Sequence, residues 1–201
     1  MAYYIRKIKY ESNADLLRSQ TDIPELFGDV IAEYNISNNG DLSVWKIDDI
    51  KDKDTLEKIV LAIVISTPVC EDTTFLIMDD DILKKYGFEI PVKGASGENY
   101  CQEWESLHYN IKNVRFKNII TCLSMYRDLL QNDDLNSPKN IIYINGAKLA
   151  EIILKALMNN TNNILERNIK CNKSIKENYT ELYSKYDQAI KQKRKNLKQM
   201  S

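Results

Sequence analysis

Short runs of strand-forming residues alternate with longer amphipathic stripes along this chain, and this alternation restricts the fold more than any other feature. The opening run, residues 3–10, alternates in two-residue steps and is rich in residues that favour strands. Residues 42–47, the mostly apolar residues 73–78 and residues 141–144 predict three further strands. The pattern predicts an α+β fold with a small mixed sheet, although these spacings leave the strand order open.

Stretches with apolar residues three and four positions apart separate these strands and predict packed helices. They cover residues 24–34, 55–66, 81–87, 114–131 and 148–165. Asp52 or Asp54 would cap the second helix, and Gly87 would end the third. The glycine, serine and proline content of residues 91–98 predicts an exposed loop.

The end of the chain has a different character. Residues 172–201 are polar apart from one narrow apolar stripe, which predicts an extended C-terminal helix. The stripe is our predicted partner-binding surface, although docking on its own domain is an equal alternative; it consists of Tyr179, Leu182, Tyr183, Tyr186 and Ile190. We expect residues 1–160 to form the α+β core domain and residues 161–201 to form a helical extension.

Five cations and no acids follow Asp187. They are candidates for binding nucleic-acid phosphates, and they are Lys191, Lys193, Arg194, Lys195 and Lys198. The alternative is a solvated helix end, where cations also complement the helix dipole. The whole chain has a net charge of −1, so nucleic-acid binding would have to be local.

The composition restricts where in the cell the protein can be and which cofactors it can bind. The N-terminal segment lacks the apolar core of a secretory signal, and the apolar run at 59–65 is too short to span a bilayer. We therefore expect a cytoplasmic protein with no membrane contact and with reduced cysteines. The four cysteines form no C-x-x-C pair and there is one histidine, so we expect no structural zinc and no cofactor.

Asp79, Asp80 and Asp81 are the strongest candidates for metal chemistry, because carboxylates at a strand end suit Mg²⁺. A metal-dependent nuclease or nucleotide-processing enzyme could use them, with Glu98 or Glu103 as a further ligand. No E-x-K motif or second acidic strand accompanies them, so capping of the next helix is the favoured interpretation. His108 lacks an evident nucleophile and orienting acid, and we interpret it as structural.

Four segments of the chain resemble a known family. They are YYIRKI at 3–8, N-x-G-D-L-S-V-W-K-I at 38–47, MDDDILKKYGFEIPVKG at 78–94 and LHYNI at 107–111. They resemble the small middle subunits of bacterial anti-phage Lamassu-like, ABC-three-component defence systems. The resemblance covers about residues 1–155 and excludes the C-terminal stripe and cations.

The resemblance implies a function in a complex. In such systems an SMC-like ATPase, an effector such as a nuclease, and a small accessory protein act together. The resemblance implies a non-catalytic accessory subunit that bridges or restrains the effector on the ATPase of the same operon. Any contact with DNA would be indirect. No functional residue of the family can be transferred to a position in this sequence.

Overall fold

The computed structural model describes the backbone of residues 2–8, 40–65, 67–94, 104, 106–112, 114, 116–131, 139–159 and 169–200. The strands within these ranges are β1 (Tyr3–Ile8), β2 (Leu42–Ile47), β3 (Thr73–Asp79), β4 (Val92–Lys93), β5 (His108–Ile111) and β6 (Ile141–Ile144). The helices are α1 (Lys53–Val64), α2 (Asp80–Lys85), α3 (Phe116–Gln131), α4 (Gly146–Asn159), α5 (Asn172–Asn178) and α6 (Thr180–Met200). The predicted helix over 24–34 lies outside the described residues.

The strands form one six-stranded antiparallel sheet with the order β4-β5-β2-β1-β3-β6. At its centre, β1 pairs with β2 on one side and with β3 on the other, so that Ile5 lies between Trp45 and Ile77. Because side chains alternate between the faces of a sheet, this register separates each strand into two sets.

One face of the sheet forms the main hydrophobic core. Tyr4, Val44 and Met78 point from three neighbouring strands into it. Leu123 and Tyr126 of α3 belong to the same cluster and are almost fully buried. The apolar stripe of α3, which repeats every 3.6 residues, therefore packs on the inward-facing strand residues, which repeat every two residues, in a single apolar layer.

The structure divides into two compact units. The first comprises residues 1–59, 73–97 and 102–143, and it contains most of the sheet together with α2 and α3. The second comprises residues 60–72, 98–101 and 144–201. Within the second unit, α6 packs along α4 and against α5.

The α+β class, the packed helices and the extended C-terminal helix are confirmed, and the sheet is antiparallel where we expected a mixed one. Two strands were missed: residues 92–93 lie within the predicted loop, and β5 has only four residues. Asp52 is the N-cap of α1, because its carboxylate accepts the Thr55 N–H at 3.1 Å. Gly87 follows α2 with φ of +73°, as predicted.

Candidate interaction surfaces

The predicted C-terminal surface begins at Tyr179, which separates α5 from α6. Its hydroxyl lies so close to Gly146 that a Cβ on that glycine would be 2.0 Å from the oxygen. The Gly146 N–H donates to Asp72 Oδ1 at 2.7 Å, and Cys70 Sγ lies 3.4 Å from the Gly146 carbonyl oxygen. Tyr179 is therefore a packing residue at the first turn of α4.

The electrostatics at this contact agree with its partial burial. Removal from water raises the pKa of Tyr179, and the nearby Cys70 and Asp72 raise it further. Cys70 belongs to the same unit, and its N–H donates to Ser174 Oγ at 3.2 Å.

A second contact fixes the direction of α6. Lys193 Nζ donates to the Met158 carbonyl oxygen at 3.0 Å, in the last turn of α4. Because Tyr179 meets the start of α4 and Lys193 meets its end, α4 and α6 run parallel. From Lys193, α6 continues to Met200, which at 1.5 Å per residue is about 10 Å of further helix.

The remaining stripe residues lie along this helix pair. Leu182, Tyr183, Tyr186 and Ile190 are each partly buried, between the buried and the exposed classes. The rings of Tyr183 and Tyr186 contact each other with centroids 5.7 Å apart, and the Lys176 ammonium lies 5.0 Å from the Tyr183 ring centroid. Each of these residues retains some exposed surface that a partner could cover. Binding of a partner by this stripe stays a prediction.

The predicted cationic residues occupy the last turns of α6. Lys191 forms an ion pair with Asp187 at 2.6 Å, and 74% of its side chain is exposed. The hydrogen bond and the charge of Asp187 raise the pKa of Lys191. Lys193 and Lys195 are also exposed. Arg194 and Lys198 lie in the helix, but their side chains are outside the described part of the structure.

The three consecutive aspartates have three separate environments. Asp79 is the N-cap of α2 and accepts the Ile82 N–H at 2.8 Å, as the favoured interpretation predicted. Asp80 accepts the Tyr4 hydroxyl at 3.2 Å and the Ala2 N–H at 3.3 Å. Asp81 is exposed in the first turn of α2. Burial and the adjacent Asp80 raise the pKa of Tyr4 to about 12.

An open pocket of about 330 Å³ lies beside this turn. Its charged lining mixes Asp79, Asp81 and Asp128 with Lys85 and Lys139. Asp128 is engaged by its neighbours, since it accepts the Tyr86 hydroxyl and lies 3.3 Å from Arg127 Nη2. Within the described residues, no three His, Cys, Asp or Glu side chains are grouped so that they could hold a metal ion.

His108 is packed as a structural residue. Its ring lies 5.2 Å from the Trp45 ring between centroids, and it covers Gly94, where a Cβ would be 2.4 Å from Nδ1. The K-G-A-S-G segment at 93–97 thus contributes a glycine that the ring requires. Glu98 and Glu103, the further acids considered for a metal site, lie outside the described residues.

Sequence reasoning missed the groups that are distant along the chain. Asp128 and Lys139 meet Asp79 only because α3 and the approach to β6 converge at the end of β3. No local motif marks either residue. Asn145 did carry a detectable signal, since it precedes a helix and its side chain accepts the Lys148 N–H at 2.8 Å, as an N-cap does.

Comparison with known protein families, curated proteins and solved structures gives no match for this chain. Among the described residues, no helix has both the length and the apolar character needed to cross a membrane.

Proposed function

We propose that this chain is a non-catalytic accessory subunit that holds larger macromolecules together. By the resemblance of its segments at 3–8, 38–47, 78–94 and 107–111, the partners are an SMC-like ATPase and an effector nuclease of a cytoplasmic, Lamassu-like anti-phage complex. The observation that carries the proposal is α6, a 21-residue helix of which about 10 Å continues beyond the lysine that contacts α4.

Two properties of α6 favour binding to another macromolecule. Its partly buried stripe provides apolar area that a partner can cover further, as in helix-in-groove recognition. Lys191 is paired with Asp187, but the exposed Lys193 and Lys195 follow the last acid of the chain, so positive charge predominates beyond Asp187. An acidic surface on the partner would therefore be attracted to this end of α6. This attraction would align the apolar stripe with the partner's binding surface.

The Asp79–Asp81 turn supports the non-catalytic part of the proposal. Asp79 is bonded to the start of α2, and Asp80 is bonded to β1. A reactive centre needs convergent groups, whereas the first two carboxylates here form hydrogen bonds within the fold. The proposed function accordingly assigns the turn a structural role.

The test is co-purification of the tagged full-length chain with the products of its neighbouring genes. We expect a stable complex, and Lys191→Glu together with Lys195→Glu should weaken it by roughly tenfold, which is the effect of about 1.4 kcal/mol. Lys173→Glu is the matched control, because Lys173 also forms an exposed i,i+4 ion pair, with Glu177. Absence of any co-purifying neighbour would contradict the proposal.

Direct nucleic-acid binding by the α6 lysines is the second candidate, favoured by the exposure of Lys191, Lys193 and Lys195. It predicts an affinity that falls steeply with salt concentration and is lost when residues 188–201 are deleted. Electrophoretic mobility shift with duplex DNA at two salt concentrations measures this. Retention of binding after the deletion would exclude the α6 lysines as the site.

A further inference from the structure

The packing of α4 with α6 follows a seven-residue repeat. Tyr179, whose carbonyl accepts the Tyr183 N–H at 3.0 Å at the start of α6, lies against Gly146 in the first turn of α4. Lys193 contacts the Met158 carbonyl oxygen in the last turn of α4. Tyr179 and Lys193 are two seven-residue repeats apart, and this spacing keeps one side of a helix against its neighbour over several turns.

The repeat continues beyond the end of α4. This helix ends at Asn159, one residue after Met158, whereas α6 runs to Met200. We call residues 194–200 the overhang of α6. Leu197 and Met200 follow Lys193 by four and seven positions, which places them on the α4-facing side of the helix. The side of α6 that packs on α4 therefore has two further apolar positions past the end of α4.

The two borders of this apolar side differ in charge. With about 3.6 residues per turn, the positions on one border are cationic and those on the other are uncharged amides. On the amide border, Gln192 Nε2 donates to Asn196 Oδ1 at 2.9 Å. The cationic border consists of Lys191, Arg194 and Lys198, and the amide border consists of Gln192, Asn196 and Gln199.

Positive charge predominates on the cationic border. Asp187 is the last acid of the chain and pairs with Lys191 at 2.6 Å, so the two later cations of the border are in excess. The last two turns of α4, residues 152–159, contain one lysine and no acid. The border is therefore complementary to an acidic border on a helix that lies beside the overhang.

We propose that the overhang binds an amphipathic helix of a partner, with an apolar seam and with acidic residues on the border that meets Arg194 and Lys198. A helix fits because the apolar positions of the overhang continue the repeat by which α6 packs on α4, so the occupant extends an existing helix pair. Acidic residues fit because opposite charges on facing borders of paired helices select the partner. This inference rests on the proposed function and names the element that α6 recognises.

Titration of the full-length, nitrogen-15-labelled chain with synthetic peptides, followed by NMR, tests the inference. The probe is a helical peptide with leucine at the seam positions of each seven-residue repeat and glutamate on both borders. The control peptide has lysine in place of every glutamate. We expect saturable shift changes in the last turns of α6 with the glutamate peptide, and roughly tenfold weaker binding of the lysine peptide.

Variants of the overhang identify the binding residues. Leu197→Ser with Met200→Ser should weaken binding of the glutamate peptide roughly tenfold, because it removes apolar area from the seam. The matched control is Asn196→Ser with Gln199→Ser on the amide border. Circular dichroism checks that α6 stays helical in both variants. Equal affinity for the two peptides, or unchanged affinity of the seam variant, would overturn the inference.

A charge exchange covers the case in which the seam variant loses its helix. Arg194→Glu with Lys198→Glu should reverse the preference, so that the lysine peptide binds more tightly than the glutamate peptide. Lys195→Glu, on the opposite side of α6, should change the preference less. An unchanged preference in the double variant would count against the acidic partner helix.

Two further outcomes would assign the overhang to another occupant and overturn the inference. One is a gain in peptide affinity when Ile164→Ser and Leu165→Ser are introduced, which would mean that the chain's own residues 160–168 compete for it. The other is self-association in sedimentation velocity that the seam variant abolishes, which would indicate a second copy. Co-purification separates this inference from the proposed function: retention of the neighbouring gene products by the seam variant leaves the proposed function intact and contradicts only the role of the overhang.

Discussion

The Asp79–Asp81 turn and the end of α6 each concentrate charge of a single sign, and they use their charges in opposite ways. The turn directs Asp79 and Asp80 into hydrogen bonds within the fold. The helix bonds Lys193 to α4 and leaves Lys191 and Lys195 exposed to solvent. The difference between the two segments arises from these tertiary contacts, and the end of α6 is the better candidate for a binding surface.

The contact that orients the start of α6 should be the most sensitive to substitution. Gly146→Ala places a Cβ 2.0 Å from the Tyr179 hydroxyl, and we expect a loss of about 1–3 kcal/mol in the free energy of unfolding. Urea denaturation of the purified protein measures it. The loss should fall on the second unit, to which both residues belong.

A double-mutant cycle separates this clash from other effects. In a Tyr179→Ala background the obstacle is gone, so Gly146→Ala should become neutral or stabilising, because alanine favours helix more than glycine. Equal losses in both backgrounds would show that Tyr179 does not restrict Gly146. The contact between Tyr179 and Gly146 would then not explain the position of α6.

The aspartate turn should show a graded response to alanine. Asp79→Ala removes the N-cap of α2 and should cost about 1 kcal/mol of unfolding free energy. Asp81→Ala is the matched neighbour and, as an exposed residue, should change stability by less than about 0.5 kcal/mol. Thermal unfolding of both variants measures the difference. A larger effect from Asp81 would indicate that the turn has a role beyond capping.

Local periodicity predicted much of this fold because the relevant signals are short-range. The apolar stripe of α3 and the buried run of β3 can each be recognised from a few neighbouring residues. The Asp52 cap and the stop at Gly87 are also local, since each depends on residues three or four positions away. Those elements agree with the sequence because nothing distant needs to be known.

The parts that were missed depend on distant residues. Val92–Lys93 becomes a strand because β5 pairs with it, although its own glycine and proline neighbours favour a loop. The sequence leaves open whether the stripe with Tyr179 docks on its own domain or on a partner, and only the fold reveals that Gly146 lies against the Tyr179 hydroxyl. The alignment of positions from Gly94 to Ile77 across the sheet requires the register of five strands, which no local pattern contains.

The smallest expected effect concerns the other end of the α4 and α6 contact. Lys193→Met removes the ammonium that bonds the Met158 carbonyl and complements the C-terminal dipole of α4, at a cost of about 0.5 kcal/mol. Lys195→Met, an exposed lysine two residues later, is the control and should be neutral. Amide hydrogen exchange gives the sharper measurement, because the last turn of α4 should exchange severalfold faster in the Lys193 variant alone. Equal protection in both variants would mean that the two helices are held together by the stripe, with Lys193 as solvated as its neighbours.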